Sequence, residues 1–123
     1  MAFFGNGKNI EIGLKSSIGI HCHVPNDIKI GEKVMMGPYC YVLGTDTHRH
    51  DRADISMMEQ GRFNSGKRTI IGDDVWLGRE CLIIGGKTIG SHVIIGARSV
   101  VCKDIPDYVM AAGNPIAVKK HRK

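Results

Sequence analysis

The stretch TIIGDDVWLGRECLIIGGKTIGSHVIIGARSVVCKDI, Thr69–Ile105, returns an aliphatic residue at every sixth position: Ile71, Leu77, Ile83, Ile89, Ile95 and Val101. An earlier series does the same at Ile12, Ile18, Val24, Ile30, Met36 and Val42. Gly follows at eight of these twelve positions, the exceptions being Pro25, Leu43, Ile84 and Cys102. Four places after each aliphatic residue stands a second, usually small or apolar one: Ser16, Cys22, Ile28, Val34 and Cys40, then Val75, Cys81, Lys87, Val93, Ser99 and Ile105. Neither a helical period of about 3.6 nor a strand period of about 2 gives a six-residue return. A unit of one short strand and one corner does, with two inward side chains per unit and Gly permitting a sharp or positive-φ backbone. One unit cannot bury its apolar side alone, but coils stacked at the ~4.8 Å strand spacing can. The chain therefore reads as all-β, a parallel β-helix of hexapeptide repeats.

With 123 residues the chain is expected to be a single domain, 1–123, of a size that often relies on oligomerisation. No basic-plus-apolar segment resembles a signal peptide, and no run approaches the ~18 apolar residues of a membrane span. A cytoplasmic protein with no membrane span is expected. The formal charge is +5, with Lys119, Lys120, Arg122 and Lys123 supplying four positive charges in a basic tail, 116–123. The body is nearly neutral, and the tail is either a solvated end or a holder of phosphate. Basic residues are not interleaved with aromatic ones, so no nucleic-acid partner is expected. Cys22, Cys40, Cys81 and Cys102 show no CxxC spacing. The first three fall in the small inward slot, where buried free Cys serves as a small apolar residue. Lys87 breaks that pattern and either snorkels out at a corner or marks a distorted register.

Between the two series the phase is lost, and residues 44–69, GTDTHRHDRADISMMEQGRFNSGKRT, must leave the coil as an excursion loop. Its apolar residues Ile55, Met57, Met58 and Phe63 are expected to dock on the body or on a neighbouring subunit. His48 and His50, beside Asp46 and Asp51, are candidates for a general base whose tautomer a carboxylate or carbonyl fixes. A solvated polar loop is the competing reading. His21 and His23 point outward by the hexad count. Two H-x-H pairs are insufficient for a metal site, and none is expected.

Hexads, the loop TDTHRHD, the segment IGDDVWLG and the ending IIGARSVVCKDIPDYVMAAGNPIAVKK together resemble the hexapeptide-repeat acetyltransferases with a left-handed β-helix. Within them the chain is most similar to the maltose, galactoside and xenobiotic acetyltransferases, and ISMMEQG resembles their polysaccharide O-acetyltransferase relatives. The resemblance covers Ile12 to Lys120. It implies a left-handed coil and a homotrimer with active sites between subunits. Acetyl-CoA would be the cosubstrate, and a loop His would act as general base on an acceptor hydroxyl that attacks the thioester directly. His48 matches that base, with His50 in reserve. Trp76 matches the residue flanking the pantetheine channel, or fills a subunit contact. Gly78, Gly96 and Ala97 match positions near the CoA arm, Cys102 and Lys103 the pair at its nucleotide end, and Asn114 and Pro115 the adenine-side turn. Lys119 and Lys120 are candidate partners for CoA phosphates. The implied reaction is acetyl transfer to a sugar or surface-glycan hydroxyl. Transfer to an amino sugar, or a non-catalytic β-helix scaffold, are the alternatives. The maltose and galactoside members carry a longer N-terminal segment ahead of the repeats, whereas the repeats here begin almost at once after MAFFGNGKN. Any lid is then expected from Phe3 and Phe4, the loop or a neighbour, and no acceptor-binding residue is carried over.

Overall fold

A computed structural model describes all residues, 1–123, and its strands wrap three flat faces of one triangular coil. The first sheet stacks β1 (Phe3–Phe4), β4 (His23–Val24), β7 (Tyr41–Val42), β12 (Leu82–Ile83) and β15 (Val100–Val101). The second holds β2 (Ile10–Ile12), β5 (Ile28–Ile30), β10 (Thr69–Ile71) and β13 (Thr88–Ile89). The third holds β3 (Ser17–Ile18), β6 (Met35–Met36), β11 (Trp76–Leu77), β14 (Ile94–Ile95) and β16 (Val109–Gly113), edged by antiparallel β17 (Ile116–His121). All coil pairings are parallel, and the architecture is that of the left-handed β-helix. No helix is long and apolar enough to cross a membrane.

The two inward positions of each hexad supply nearly all of one 21-residue apolar cluster running along the axis. Fully burying a Val, Leu or Ile side chain is worth about 1.5–3 kcal/mol. The small slot has its own chemistry. Cys22 Sγ donates to the Gly37 carbonyl at 3.0 Å, Cys40 Sγ to Gly78 at 3.1 Å and Cys81 Sγ to Gly96 at 3.2 Å. A thiol thus fills the slot and satisfies a corner carbonyl of the next coil. Burial pushes the Cys22 thiol up, which keeps it the protonated donor.

Positive φ at the corners is not where the glycine spacing places it. Left-handed backbone falls on the residue three places after the aliphatic one: Lys15, His21, Asp27, Lys33 and Tyr39, then Asp74, Glu80, Gly86, His92 and Arg98. Such a conformation costs a non-glycine residue about 1–2 kcal/mol. It turns the amide along the coil axis, so that the Lys33 N–H reaches the Leu14 carbonyl and the Asp74 N–H the Glu32 carbonyl, carrying the ladder around the bend. The glycines answer a different demand, close approach of stacked backbones. A Cβ on Gly13 would lie 2.5 Å from the Gly31 carbonyl carbon, and one on Gly19 2.7 Å from that of Gly37. These two columns fill the corners after the second and third sheets. Pro25, Leu43, Ile84 and Cys102 all fall at the remaining corner, after the first sheet.

That corner releases the excursion. Ile71 lies on Ile30 and Ile83 on Val42, forty-one residues apart where neighbouring coils are eighteen apart. The inserted residues form an antiparallel hairpin, β8 (Asp46–His48) with β9 (Arg62–Asn64), tipped by a 3₁₀ turn at Met58–Gln60. Thr69 is already back in the coil, its Oγ1 accepting from the Gly86 N–H at 2.8 Å. Met57, Met58 and Phe63 stay exposed, Met58 at 86%, so the expected docking on the chain's own body does not occur.

The two ends also depart from expectation. Phe3 and Phe4 form a strand of the first coil, and Phe3 stacks on His23, which stacks on Tyr41, at centroid distances of 4.9 and 4.2 Å. They belong to the wall and form no lid. At the other end the last coil is two residues short, so Ile105 stacks on Ile89 and does not enter the small slot. Asp104 Oδ1 instead accepts from the Thr88 N–H at 2.8 Å. No residue then closes over Lys87, which is half-buried above Thr69 at the open end of its column. The basic tail is the edge strand β17 rather than a free end, with the Arg122 guanidinium donating to the His92 carbonyl at 2.7 Å.

Candidate active site

His48 ends β8, opposite Arg62 on β9, where the ladder holds its backbone while the side chain stays half-buried. Its Nδ1 lies 3.3 Å from the Arg49 carbonyl oxygen. Nδ1–H can donate there, which leaves Nε2 with its lone pair free, the tautomer a base requires. A carbonyl, and neither Asp46 nor Asp51, therefore orients the ring. Asp51 is committed elsewhere: Arg49 donates to it at 3.4 and 3.2 Å and holds its carboxyl below the usual carboxylate range. Arg52 does the same for Asp54. His50 lies on the rim, exposed and outside the strand.

Around His48 opens a cavity of about 300 Å³ lined by Thr47, His48, Arg49, His50, Asp51 and Phe63. Phe63, cross-strand from Thr47, contributes its one hydrophobic wall. Sequence reasoning assigned Phe63 to a docking patch. Alternation over the three residues of RFN and of DTH is too short a signal to have placed it here.

The remaining candidates separate onto two corners of the prism. Trp76 lies on the outer face of the third sheet, 51% exposed, in register with Met35 and Ile94. Gly78, Gly96 and Ala97 follow at the adjoining corner, where a Cβ on Gly78 would meet the Ala97 N–H nitrogen at 2.6 Å. Asn114 and Pro115, joined by a cis peptide, form the turn between β16 and β17, tied to that corner by the Gly113 N–H donating to Ser99 Oγ at 3.0 Å. Lys119 and Lys120 are exposed toward the far end of β17 from that turn, Lys120 opposite Met110 in the column of Ile94 and Trp76. Cys102 and Lys103 are exposed on a different corner, the one from which the His48 hairpin springs. One chain therefore gathers Trp76, the small residues and the Asn114 turn on one edge, with His48, Cys102 and Lys103 on another. No group of three or more His, Cys, Asp or Glu side chains converges as a metal site would require.

The profile "Bacterial transferase hexapeptide (six repeats)" matches residues 68–103. A solved maltose O-acetyltransferase from Clostridium difficile 630 superposes with a TM-score of 0.85 at 35% identity, covering 98% of this chain and 63% of that one. The chain carries the hexapeptide repeat and is similar along nearly its whole length to the hexapeptide-repeat acetyltransferases. A galactoside acetyltransferase solved in complex with coenzyme A gives a TM-score of 0.86 at 32% identity, with 98% and 59% coverage. A probable acetyltransferase of Mycobacterium tuberculosis is 39% identical over 116 residues, 94% of this chain and 36% of that protein. The chain thus spans between about a third and just over half the length of the curated relatives it matches.

Proposed function

We propose that residues 1–123 act as one acetyl-CoA-dependent O-acetyltransferase unit, assembled as a homotrimer and acting on a sugar hydroxyl. The observation that carries this reading is the setting of His48, with Nδ1 on the Arg49 carbonyl and the side chain lining an accessible cavity. Supporting it are the coenzyme A complex of the galactoside relative and the sugar acceptors named for the solved relatives. In the reaction, His48 Nε2 takes the proton of the acceptor hydroxyl as that oxygen attacks the acetyl carbonyl. The new O–C bond forms, the C–S bond of acetyl-CoA breaks, and the proton passes from His48 to the departing sulfur. A well-placed base of this kind is worth about 10² to 10⁴ in rate.

The division of candidates between two corners supports the trimer. Stacking three prisms sets the His48 corner of one against the Trp76 edge of the next, so that Trp76, Gly78, Gly96, Ala97 and the Asn114–Pro115 turn line the CoA groove opposite His48. Cys102 and Lys103 come from the His48 side, and Lys119 and Lys120 offer charge to the CoA phosphates. Calorimetric titration with acetyl-CoA at moderate ionic strength tests the reading. Saturable binding near one molecule per subunit is expected, and a folded trimer that binds none would overturn it.

A further inference from the structure

One side chain ties the excursion to the coil. From Gly44 to Arg68 every hydrogen bond and ion pair stays inside the excursion, except those of Arg68. Its guanidinium pairs with Glu11 at 2.6 Å and donates to the Asn9 carbonyl at 3.2 Å and the Ile28 carbonyl at 3.1 Å. Thr69, the next residue, lies on Ile28, which lies on Ile10, so Arg68 reaches from the third coil across the second to the first. Charge-assisted bonds are stronger than neutral ones, and the planar fork serves a carboxylate and two carbonyls at once. Arg68 is also half-buried, where salt screens a charge less than at an open surface.

Packing supplies no second anchor. No residue from Asp46 to Asn64 is buried, and cavities of about 130 and 310 Å³ open between the hairpin stem and the coil, with Asp27 and Thr45 in the walls of both. Each stem strand approaches the coil through a glycine that packs loosely. A Cβ on Gly66 would meet nothing within 4 Å, and one on Gly44 only Pro25 Cβ at 4.0 Å. From Arg68 to His48, in contrast, the links are short and bonded. Ser65 Oγ accepts from the Lys67 N–H at 3.2 Å and Asn64 Oδ1 from the Gly66 N–H at 2.7 Å. In the ladder Asn64 then pairs with Asp46, and Arg62 with His48.

We infer that Arg68 is a positioning residue for the reaction: it fixes the angle of the hairpin to the coil, and with it the place of His48 relative to acetyl-CoA. The inference rests on the acetyltransferase reading above and adds the residue that holds the base in place. Arg68 acts through the backbone of the hairpin, and proton removal stays with His48. A misplacement of about 1 Å in a catalytic group can cost on the order of 10² in rate. A hairpin released from Glu11, Asn9 and Ile28 therefore loses turnover, while the CoA groove built on the coil keeps its affinity.

Trypsin cleavage and steady-state rates in wild type, Arg68→Gln, Arg68→Lys and Arg52→Gln test this. Cleavage is followed at Arg49 and Arg62, exposed hairpin sites present in every variant. Transfer is followed from acetyl-CoA with maltose and methyl galactoside as probes. For Arg68→Gln, hairpin cleavage about tenfold or more faster and a kcat about tenfold or more lower are expected. The acetyl-CoA KM and the shape of the pH profile of kcat should stay at wild-type values. Arg68→Lys keeps the charge beside Glu11 without the fork and should recover part of both losses. Arg52→Gln, which gives up only its pair with Asp54 at the tip, should match wild type. A thermal melt shows that each variant is folded at the assay temperature. Unchanged cleavage in Arg68→Gln overturns the anchor. Faster cleavage or a lower midpoint with kcat unmoved overturns the positioning role and leaves Arg68 a structural residue. A wild type that binds no acetyl-CoA removes the acetyltransferase reading and the positioning role with it, whereas the anchor is judged by cleavage alone.

Discussion

The coil and the hairpin that interrupts it place their polar backbone in opposite settings. In the coil, two side chains of every hexad are inward, and the apolar cluster runs unbroken from Cys22 to Ile116. In the hairpin, from Asp46 to Asn64, no residue is buried. Its shape rests on the β8–β9 ladder, on the Arg52 N–H donating to Gln60 Oε1 at 3.0 Å and on surface ion pairs, each of the last worth about 0–1 kcal/mol. A coil residue is therefore constrained by the layers above and below it, whereas a hairpin side chain is constrained mainly by what it does. Stability belongs to the first region, and the proposed chemistry to the second.

His48→Ala breaks the comparison if it disturbs both properties together. Loss of about 10² to 10⁴ in kcat is expected, with an unchanged unfolding midpoint. Steady-state rates and a thermal melt on the same preparation check this, and full turnover would remove His48 from its role. Next in size is a matched pair of glycines. A Cβ on Gly31 would stand 2.6 Å from the Gly72 carbonyl oxygen, whereas one on Gly44, at the hairpin corner, meets nothing nearer than Pro25 Cβ at 4.0 Å. Gly31→Ala should destabilise by about 1–3 kcal/mol, the usual range for overpacking. Gly44→Ala should stay within about 0.5 kcal/mol. Urea titration reads both, and equal losses would mean that the two corners are packed alike.

Much of this contrast can be read from residue order alone, for a physical reason. Stacked coils demand the same side-chain volume at the same step, so Val75, Leu77, Val93 and Ile95 carry the fold in plain view. The four non-glycine followers, Pro25, Leu43, Ile84 and Cys102, look like noise along the chain and become the third corner only when coils of eighteen are stacked. Left-handed corner residues leave little trace because their role is carried by the backbone amide. Lys33, Tyr39, Glu80 and Arg98 serve as well as Asp27 or Asp74. Ile105 misleads because it arrives at the expected step while the coil beneath it has been shortened. The hairpin was legible as an interruption and not as strands, since three-residue strands show too little alternation to register. His48 drew attention as a candidate because an imidazole in a polar excursion stands out.

Cys22→Ala sharpens the comparison from the coil side. The variant loses a buried sulfur and the bond to the Gly37 carbonyl, and about 1–2 kcal/mol of destabilisation is expected. Activity per folded molecule should be retained, since the slot faces the axis and the hairpin lies outside it. Denaturant unfolding alongside specific activity separates the two. Normal stability with lost turnover would move Cys22 out of the core and into the site.

The smallest expected effect concerns a charge on the coil's outer surface. Arg98 donates to Glu80 at 2.6 Å, and this contact, more than any other, holds the Glu80 carboxyl below its ordinary value of 4.5. A carboxylate with a depressed folded pKa contributes stability that is present above the unfolded value and fades as pH falls through the folded one. Wild type should therefore exceed Glu80→Gln slightly at neutral pH, and the gap should close in the acid range below 4.5. Glu80 is partly exposed and its partner Arg98 largely so, and added salt should therefore shrink the gap at neutral pH as well. Thermal midpoints of both proteins across that range decide the matter. A gap that persists in acid would mean that Glu80 acts at its corner through its left-handed backbone and not through its charge, as the uncharged Tyr39 beneath it must.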